Sequence, residues 1–555
     1  MTQDKQEASP DHPDKRLMEE GIPSPSGDSG LIDTDYQVGQ DNFKGSFTVS
    51  LDIHSKVFSI SAVVIVLFVI LTLSLQNDIG PIFTAVNSWL TGNLSWFFIL
   101  TSNVFVVVCL GLILSPYGRV RLGGVDAKPD HSYISWLAML FAAGMGIGLM
   151  FYGVAEPMSH FSSALGGVQV GEDGLRTDWA PLGGAEGDML GAAKLGMSAA
   201  LVHWAATAWA IYAVVALALA LFSFNKGLPL TMRSILYPVL GERIWGWPGH
   251  LVDILAVFAT LFGLSTSLGF GAEQATAGLN YLFGISDGNV TKVFLILGIT
   301  GVALVSVVVG LDAGVKRLSE LNMLLAFLLL MFVIIAGPTL IIVTGFFENL
   351  KNYFMYLPAL SNPFGREDLN YSQGWSAFFW AWWISWSPFV GMFIARVSRG
   401  RTVREFLIAV LVVPTLVCVI WFTTFGGTAI DQVINGYTAV QDAALELKLF
   451  VMLEQLPLTL VTSVLGIMLV VVFFITSSDS GSLVIDAITA GGKINSPTTQ
   501  RVFWASIEGL IAIALLLGGG LAALQAMVVA TGLPFSFVLL VGVYGIVKGL
   551  HDEPR

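Results

Sequence analysis

The chain has 555 residues, is 55% hydrophobic and only 12% charged, and carries a formal net charge of -12. A soluble protein carries about twice that charge fraction, so a set of soluble domains is excluded, as are a disordered chain and a nucleic-acid binder. The two cysteines, Cys109 and Cys418, both lie in apolar runs, which excludes a disulfide scaffold and a Cys-rich metal site.

Residues 1–50 hold ten Asp/Glu against four Lys/Arg, among Pro, Ser and Gly clusters. They predict an acidic, disordered cytoplasmic tail without a cleavable signal peptide. A spanning helix then needs about 20 mostly apolar residues. Twelve segments meet that need: 56–76, 94–115, 132–155, 191–223, 248–284, 290–311, 318–347, 372–397, 403–427, 457–478, 500–519 and 521–548. These runs are continuous rather than alternating, which argues against transmembrane strands. With both termini inside, the inside regions carry 21 Lys and Arg and the outside regions six, the bias that orients membrane helices. Of the outside connections, 156–190 is Gly-rich and acidic. The other, 348–371, opens with aromatic and polar residues that suit a helix lying on the membrane surface. An ordinary capped loop accounts for the same residues.

Segment 3 contains Gly144, Gly146 and Gly148 at alternate positions. Each weakens a helix by about 1 kcal/mol relative to Ala. A break there frees backbone groups that must face protein or a cavity, where they can bind an ion or a carboxylate. Close packing through small residues explains the same spacing. Segment 8 carries a second expected interruption, Ser385-Trp386-Ser387-Pro388-Phe389-Val390-Gly391. Segments 3 and 8 each begin a set of five, and matched interruptions point to an inverted repeat with the substrate between its halves.

Segment 4 reads His203-Trp204-Ala205-Ala206-Thr207-Ala208-Trp209-Ala210-Ile211-Tyr212. At about 100° per residue, Trp204, Tyr212 and Trp209 fall within an arc of roughly 140°. Segment 8 places five of the 15 tryptophans between Trp375 and Trp386. Trp usually sits at the membrane interface, but Trp204, Trp209, Trp382, Trp383 and Trp386 fall deeper. Facing rings there make a cage for a quaternary ammonium, which cannot donate a hydrogen bond; each ring contact contributes about 0.5–2 kcal/mol. Aromatic core packing is the plainer explanation for any single ring. The core of segment 3 and these aromatic stretches hold no Asp or Glu, which favours a zwitterion over a bare cation. Glu273 and Asp479 are the intramembrane acids to test, as coupling groups or as structural pairs. Segment 10 ends in Thr476-Ser477-Ser478-Asp479. Its hydroxyls can bond back to helix carbonyls or ligate an alkali cation. No metal-binding His pair and no nucleophile triad is evident, so a membrane enzyme is not expected.

The stretches GMGIGLMFYGVAEP (144–157), HWAATAWAIY (203–212), WAWWISWSPFVGMFIARVSRGRTVREF (380–406) and FFITSSDSGS (473–482) resemble the betaine/choline/carnitine transporter family. The resemblance spans about residues 50–548. It implies an all-α, twelve-helix membrane protein with a leucine-transporter-like core of two inverted five-helix repeats. The divisions are a tail (1–50), a two-helix extension (51–130), a first repeat with a surface helix (131–370), a second repeat (371–548) and a short cytoplasmic C-terminus (549–555). It also implies a homotrimer, alternating access and a bacterial inner membrane. Carried over, the substrate cage is Trp204, Trp209, Tyr212 and Trp383, with Trp382 and Trp386 lining the path beside it. The backbone near Gly146 and Gly148 faces the carboxylate end. A sodium site takes carbonyls of Ala142, Met145 and Phe473 and hydroxyls of Thr476 and Ser477. A second sodium site matches at Thr260 and Phe389, but Leu264 stands where a Thr ligand belongs. Gly148 resembles sodium-coupled betaine carriers, since proton-coupled choline relatives tend to carry an acid there. The short C-terminus lacks the long basic tail of osmosensing members. The resemblance therefore implies sodium-coupled import of a trimethylammonium compatible solute, glycine betaine foremost, with sodium as coupling ion and no other cofactor. A proton-coupled choline carrier, a sodium-independent carnitine-type exchanger and a carrier of another betaine such as dimethylsulfoniopropionate are the alternatives.

Overall fold

The computed structural model describes residues 17, 22–46, 50–144, 146–170, 180–309, 312–493 and 495–555. The long apolar runs are helices, because a chain in hydrocarbon must satisfy every backbone N–H and C=O within itself. A short antiparallel hairpin, β1 (Asn42–Ser46) with β2 (Ser50–His54), precedes them, paired from Asn42↔His54 to Ser46↔Ser50. Helix α1 (Val57–Ser74) and helix α2 (Gly80–Leu114) follow. The second starts earlier than expected because Pro81 sits in its first turn, where a missing N–H costs nothing.

The third segment is two helices, α3 (Tyr133–Gly144) and α4 (Ile147–Gly166), bent by 63° at the glycine run. The fourth is also two, α5 (Met189–Trp204) and α6 (Ala206–Ala220), parted at Ala205 with a ψ of -142°. There follow α7 (Trp247–Phe283), α8 (Asn289–Val309), α9 (Asp312–Ala336), α10 (Thr339–Leu360), α11 (Ala377–Val397), α12 (Val403–Ile434), α13 (Thr459–Thr489) and α14 (Thr498–His551). Among the described residues ten helical stretches are long and apolar enough to cross a membrane, and α3 with α4 makes an eleventh as a bent pair. The protein is a multi-pass helical membrane protein. Helix α6 is buried along nearly its whole length and packs on α11, while α7 packs on α13 and α14. Helices α1, α8 and α9 leave apolar side chains such as Leu67, Phe294 and Phe327 on the outside, as lipid-facing helices do.

Three expectations are corrected. Segment 8 does not break at Pro388: Ser387 Oγ donates to the Ile384 carbonyl at 2.7 Å, the carbonyl that the missing Pro388 N–H leaves over. Its irregularity lies earlier, in wide turns over Asn370–Ser376. Segment 7 stops at Ala336 because Pro338 excludes its predecessor from the helix, and α10 is a separate helix. The last two expected segments both lie in α14, which is two helices meeting at a kink where Gly519 and Gly520 leave helical geometry, at the expected boundary.

The third concerns the tail. Residues 1–16, 18–21 and 47–49 lie outside the described residues, but 22–46 do not trail free. Ser26 N–H donates to the Gly123 carbonyl at 2.8 Å, and Gly30 N–H to Glu553 Oε1 at 3.2 Å. Glu553 also pairs with Lys226 at 2.7 Å. Tyr36 stacks on Trp245 with ring centres 3.9 Å apart, and Asn42 Nδ2 donates to the Ala490 carbonyl at 2.8 Å. Lys493 pairs with Asp52 of the hairpin at 2.5 Å. Polar composition predicts solvation, yet here the polar side chains find loop carbonyls and charges instead.

Candidate functional site

The glycine run determines where the site forms. Gly146 caps α4 in an extended conformation, φ -169° and ψ -179°. The first N–H groups of a helix have no acceptor within it, and that end of the dipole is positive. The start of α4 therefore presents donors to its surroundings. Its surroundings are a cavity lined by Gly146 and Gly148 and by Trp204, Trp209, Tyr212, Trp382, Trp383 and Trp386. Ala143, Ser267, Val390 and Cys418 complete the wall. The free volume is about 60 Å³, room for roughly four or five waters, which sizes it for a small solute. All eight residues expected at the substrate thus meet around one void.

The rings form a continuous set. Trp204 meets Trp383 edge to face at 4.8 Å between centres, Trp383 meets Tyr212 at 6.0 Å, and Tyr212 meets Trp209 at 5.3 Å. Trp382 stacks on Trp383 at 5.3 Å and 15°. Trp386 sits against Phe389, 5.6 Å away. Three indole N–H groups are engaged outside the void: Trp383 Nε1 donates to the His203 carbonyl at 2.7 Å, Trp204 Nε1 to Glu156 Oε2 at 2.6 Å and Trp382 Nε1 to the Gly263 carbonyl at 3.4 Å. These three rings are left with their apolar, electron-rich surfaces for the cavity, whereas the buried Trp386 Nε1 has no hydrogen-bond partner among the described residues. Gly148 is required by that approach, because a Cβ there would lie 2.6 Å from Trp204 Cη2 and 3.2 Å from Trp382 Cη2. An acidic side chain at 148 has no room.

The ion-site residues are less assembled. Met145 lies outside the described residues. Ala142 is in the last turn of α3. The Thr476 hydroxyl bonds back to the Val472 and Phe473 carbonyls of its own helix, 3.1 Å each, and Ser477 is half-buried beside it. At the second site, Thr260 Oγ1 donates to the Ala256 carbonyl at 2.7 Å, and Leu264 fills its place against Gly481, where a Cβ would lie 2.3 Å from Leu264 Cδ1. Of the two acids singled out from sequence, Glu273 pairs with Lys292 at 2.6 Å and Asp479 faces Arg501 at 3.8 Å. Each acid thus has a basic side chain facing it.

The sequence reading overlooked one acid. Glu156 is fully buried and stands behind Trp204. Its Oε1 lies 2.5 Å from His203 Nδ1 and 3.2 Å from His160 Nε2, and His203 Nε2 meets Ser376 Oγ at 2.8 Å. A His pair thus does converge with a carboxylate. It is a hydrogen-bond cluster: two ligands on a tetrahedral zinc stand about 3.3 Å apart, wider than the 2.5 Å here. Pro157 hid this residue by marking the segment's end, although α4 runs through it to Gly166. The usable signal was the Glu156/His160 pair, four apart and so on one helix face.

A sequence model of the betaine/carnitine/choline family transporters (BCCT) matches residues 56–555. A glycine betaine/proline/choline transporter of Vibrio parahaemolyticus is 65% identical over 96% of this chain and 97% of its own. A glycine betaine transporter of the same organism is 51% identical over 97% of this chain and 100% of its own. A third, a glycine betaine/proline/choline/ectoine transporter, is 51% identical over 94% and 91%.

Proposed function

The chain belongs to the betaine/carnitine/choline transporter family, and on that premise we propose that it imports a trimethylammonium compatible solute, glycine betaine foremost, by sodium symport. The observation that carries this reading is the ring set Trp204–Trp383–Tyr212–Trp209 around a small void that also borders the start of α4. The methylated nitrogen rests on ring faces, where each contact contributes about 0.5–2 kcal/mol and more when dry. The carboxylate rests on the free N–H groups following Gly146, as anions do at helix N-termini. Residues that serve the two ends of a zwitterion thus line one cavity.

Sodium binds between segments 3 and 10 through Ala142, Met145, Phe473, Thr476 and Ser477, and its gradient drives uptake. Occupancy requires the Thr476 hydroxyl to leave its own helix carbonyls. The Leu264 side chain argues against a second ion at Thr260 and Phe389. The chain crosses the membrane twelve times, with α3 and α4 as one crossing and α14 as two joined at Gly519–Gly520, both termini cytoplasmic, in the bacterial inner membrane. The core is two inverted five-helix repeats, assembled as a homotrimer, and the breaks at Gly146 and Ala205 are hinges for alternating access. The test is radiolabelled glycine betaine uptake into proteoliposomes with and without an inward sodium gradient. Accumulation only with the gradient supports the reading, and equal uptake without it removes sodium coupling.

A further inference from the structure

Arg233 brings more donors to the tail side of the molecule than its neighbours accept. It lies in the short turn Met232–Leu236 and is 2% exposed. Its backbone N–H and its Nε both donate to Asp253, at 2.9 and 2.5 Å. Nη1 and Nη2, with four N–H groups between them, are buried and have no hydrogen-bond partner among the described residues. Asp253 follows His250 by three positions on α7, so the two share a helix face and the bridge holds the guanidinium over it. The His54 ring of the hairpin meets the His250 ring edge to face, 4.9 Å between centres, and the Arg233 charge acts on both. His54 is a donor at this place. Its Nδ1 accepts from the N–H groups of Lys56 and Val57, which puts the ring proton on Nε2. That nitrogen is buried and unpartnered among the described residues; Asp41 Oδ2 stands 3.8 Å off, beyond hydrogen-bond range. His250 Nδ1 is buried and unpartnered in the same way. Lys56 adds a second positive charge acting on both rings. Gly491 leaves room at the His54 ring, since a Cβ there would lie 3.3 Å from His54 Cδ2 and 3.1 Å from Asn42 Oδ1.

We propose that a chloride ion binds here, on Nη1 and Nη2 of Arg233 and Nε2 of His54, with His250 beside it. Buried donors without an acceptor cost free energy, and donors on a charged group make the stronger bonds once an anion meets them. Chloride accepts from several donors at once and has no hydrogen of its own to place, whereas a water must place two. Burial of all three side chains favours a single-atom anion over a bulky one such as phosphate. The ion ties together the last residue of the hairpin, the turn after the fourth segment and the first turn of α7. It therefore stabilises the folded chain where the tail is attached, independently of which solute the cage takes and of how uptake is driven.

The experiment uses the purified full chain, dialysed into sodium gluconate, and follows its Tm as chloride replaces gluconate at constant sodium and ionic strength. A ligand of the folded state raises Tm with its concentration, so Tm is expected to climb with chloride, and bromide is expected to substitute for it. His54→Asp keeps an acceptor for the N–H groups of Lys56 and Val57 and sets a like charge against the anion. In that variant the chloride needed for a given rise in Tm is expected to increase tenfold or more. A wild-type Tm that ignores chloride overturns the proposal, and so does a response undiminished in the variant, which would be a general salt effect with water alone on these donors. If His54→Asp does not fold, anomalous scattering from wild-type crystals grown in bromide decides: a peak between Arg233 and His54 supports the site, and its absence overturns it.

Discussion

The indole N–H of Trp383 meets the carbonyl oxygen of His203 at 2.7 Å. A continuous helix would offer that carbonyl the N–H of Thr207, but the chain parts at Ala205. The ring on α11 thus satisfies the backbone group that the break in the fourth segment exposes. The site and the hinge are one arrangement, and a change to the ring is felt in both.

Trp383→Ala is expected to abolish glycine betaine uptake while the protein stays folded, since it removes the ring shared by Trp204 and Tyr212. Trp383→Phe keeps a ring and orphans the His203 carbonyl, at a cost of about 1–3 kcal/mol. Its KM is expected to rise about tenfold. Proteoliposome uptake measures both, and normal transport by the alanine variant would remove the cage from consideration.

Gly148→Ala places a methyl group 2.6 Å from Trp204 Cη2. The ring must shift, so uptake is expected to fall at least tenfold, and Gly148→Asp further. Gly146 is the control: a Cβ there meets nothing within 4 Å, and Gly146→Ala is expected to be far milder. Reversal of that order in measured KM values would contradict the ring placement.

Replacing Thr476 and Ser477 together by Ala is expected to raise the sodium concentration for half-maximal uptake tenfold or more. The glycine betaine KM at saturating sodium should change little. A sodium titration identical to wild type would move the ion elsewhere.

His54 closes the hairpin and caps α1, its Nδ1 accepting from the N–H groups of Lys56 and Val57 at 3.3 Å each. Burial, with the Arg233 charge second, lowers its pKa from 6.5 to about 3. The unfolded state therefore binds the proton more readily, and this residue's contribution to stability is complete above about pH 6.5 and is lost as pH falls towards 3. Protection factors at the amides of residues 42–46, which correct for the intrinsic slowing of exchange in acid, should fall over that window. In His54→Asn, which retains a neutral acceptor, that acid-induced step should disappear.

The rings, the glycine break and the apolar helices were legible in the sequence because each rests on residue type and spacing alone. The break at Ala205 was not, since alanine has the highest helix propensity and only the Trp383–His203 bond across two segments explains it. Pro388 misled in the opposite direction, because Ser387 repairs what the proline removes. Glu156 was hidden by the proline that follows it, and its meaning depends on His160, His203 and Trp204 meeting it. The sodium residues were named by resemblance, but in this conformation Thr476 is turned to its own helix.

Residues 22–46 and 50–54 lie across one end of the molecule like a drawstring, fastened in turn at Gly123, Lys226, Trp245, Ala490 and Lys493, with a knot at Glu553. Those anchors belong to loops after the second, fourth and tenth segments and to the chain's last residues. Any rocking that separates these loops by even a few ångströms must slip at least one fastening or carry the cord along. The first steps of such a motion are therefore geared to hydrogen bonds and ion pairs, the Lys226–Glu553 pair buried among them, that lie outside the aromatic chamber they accompany.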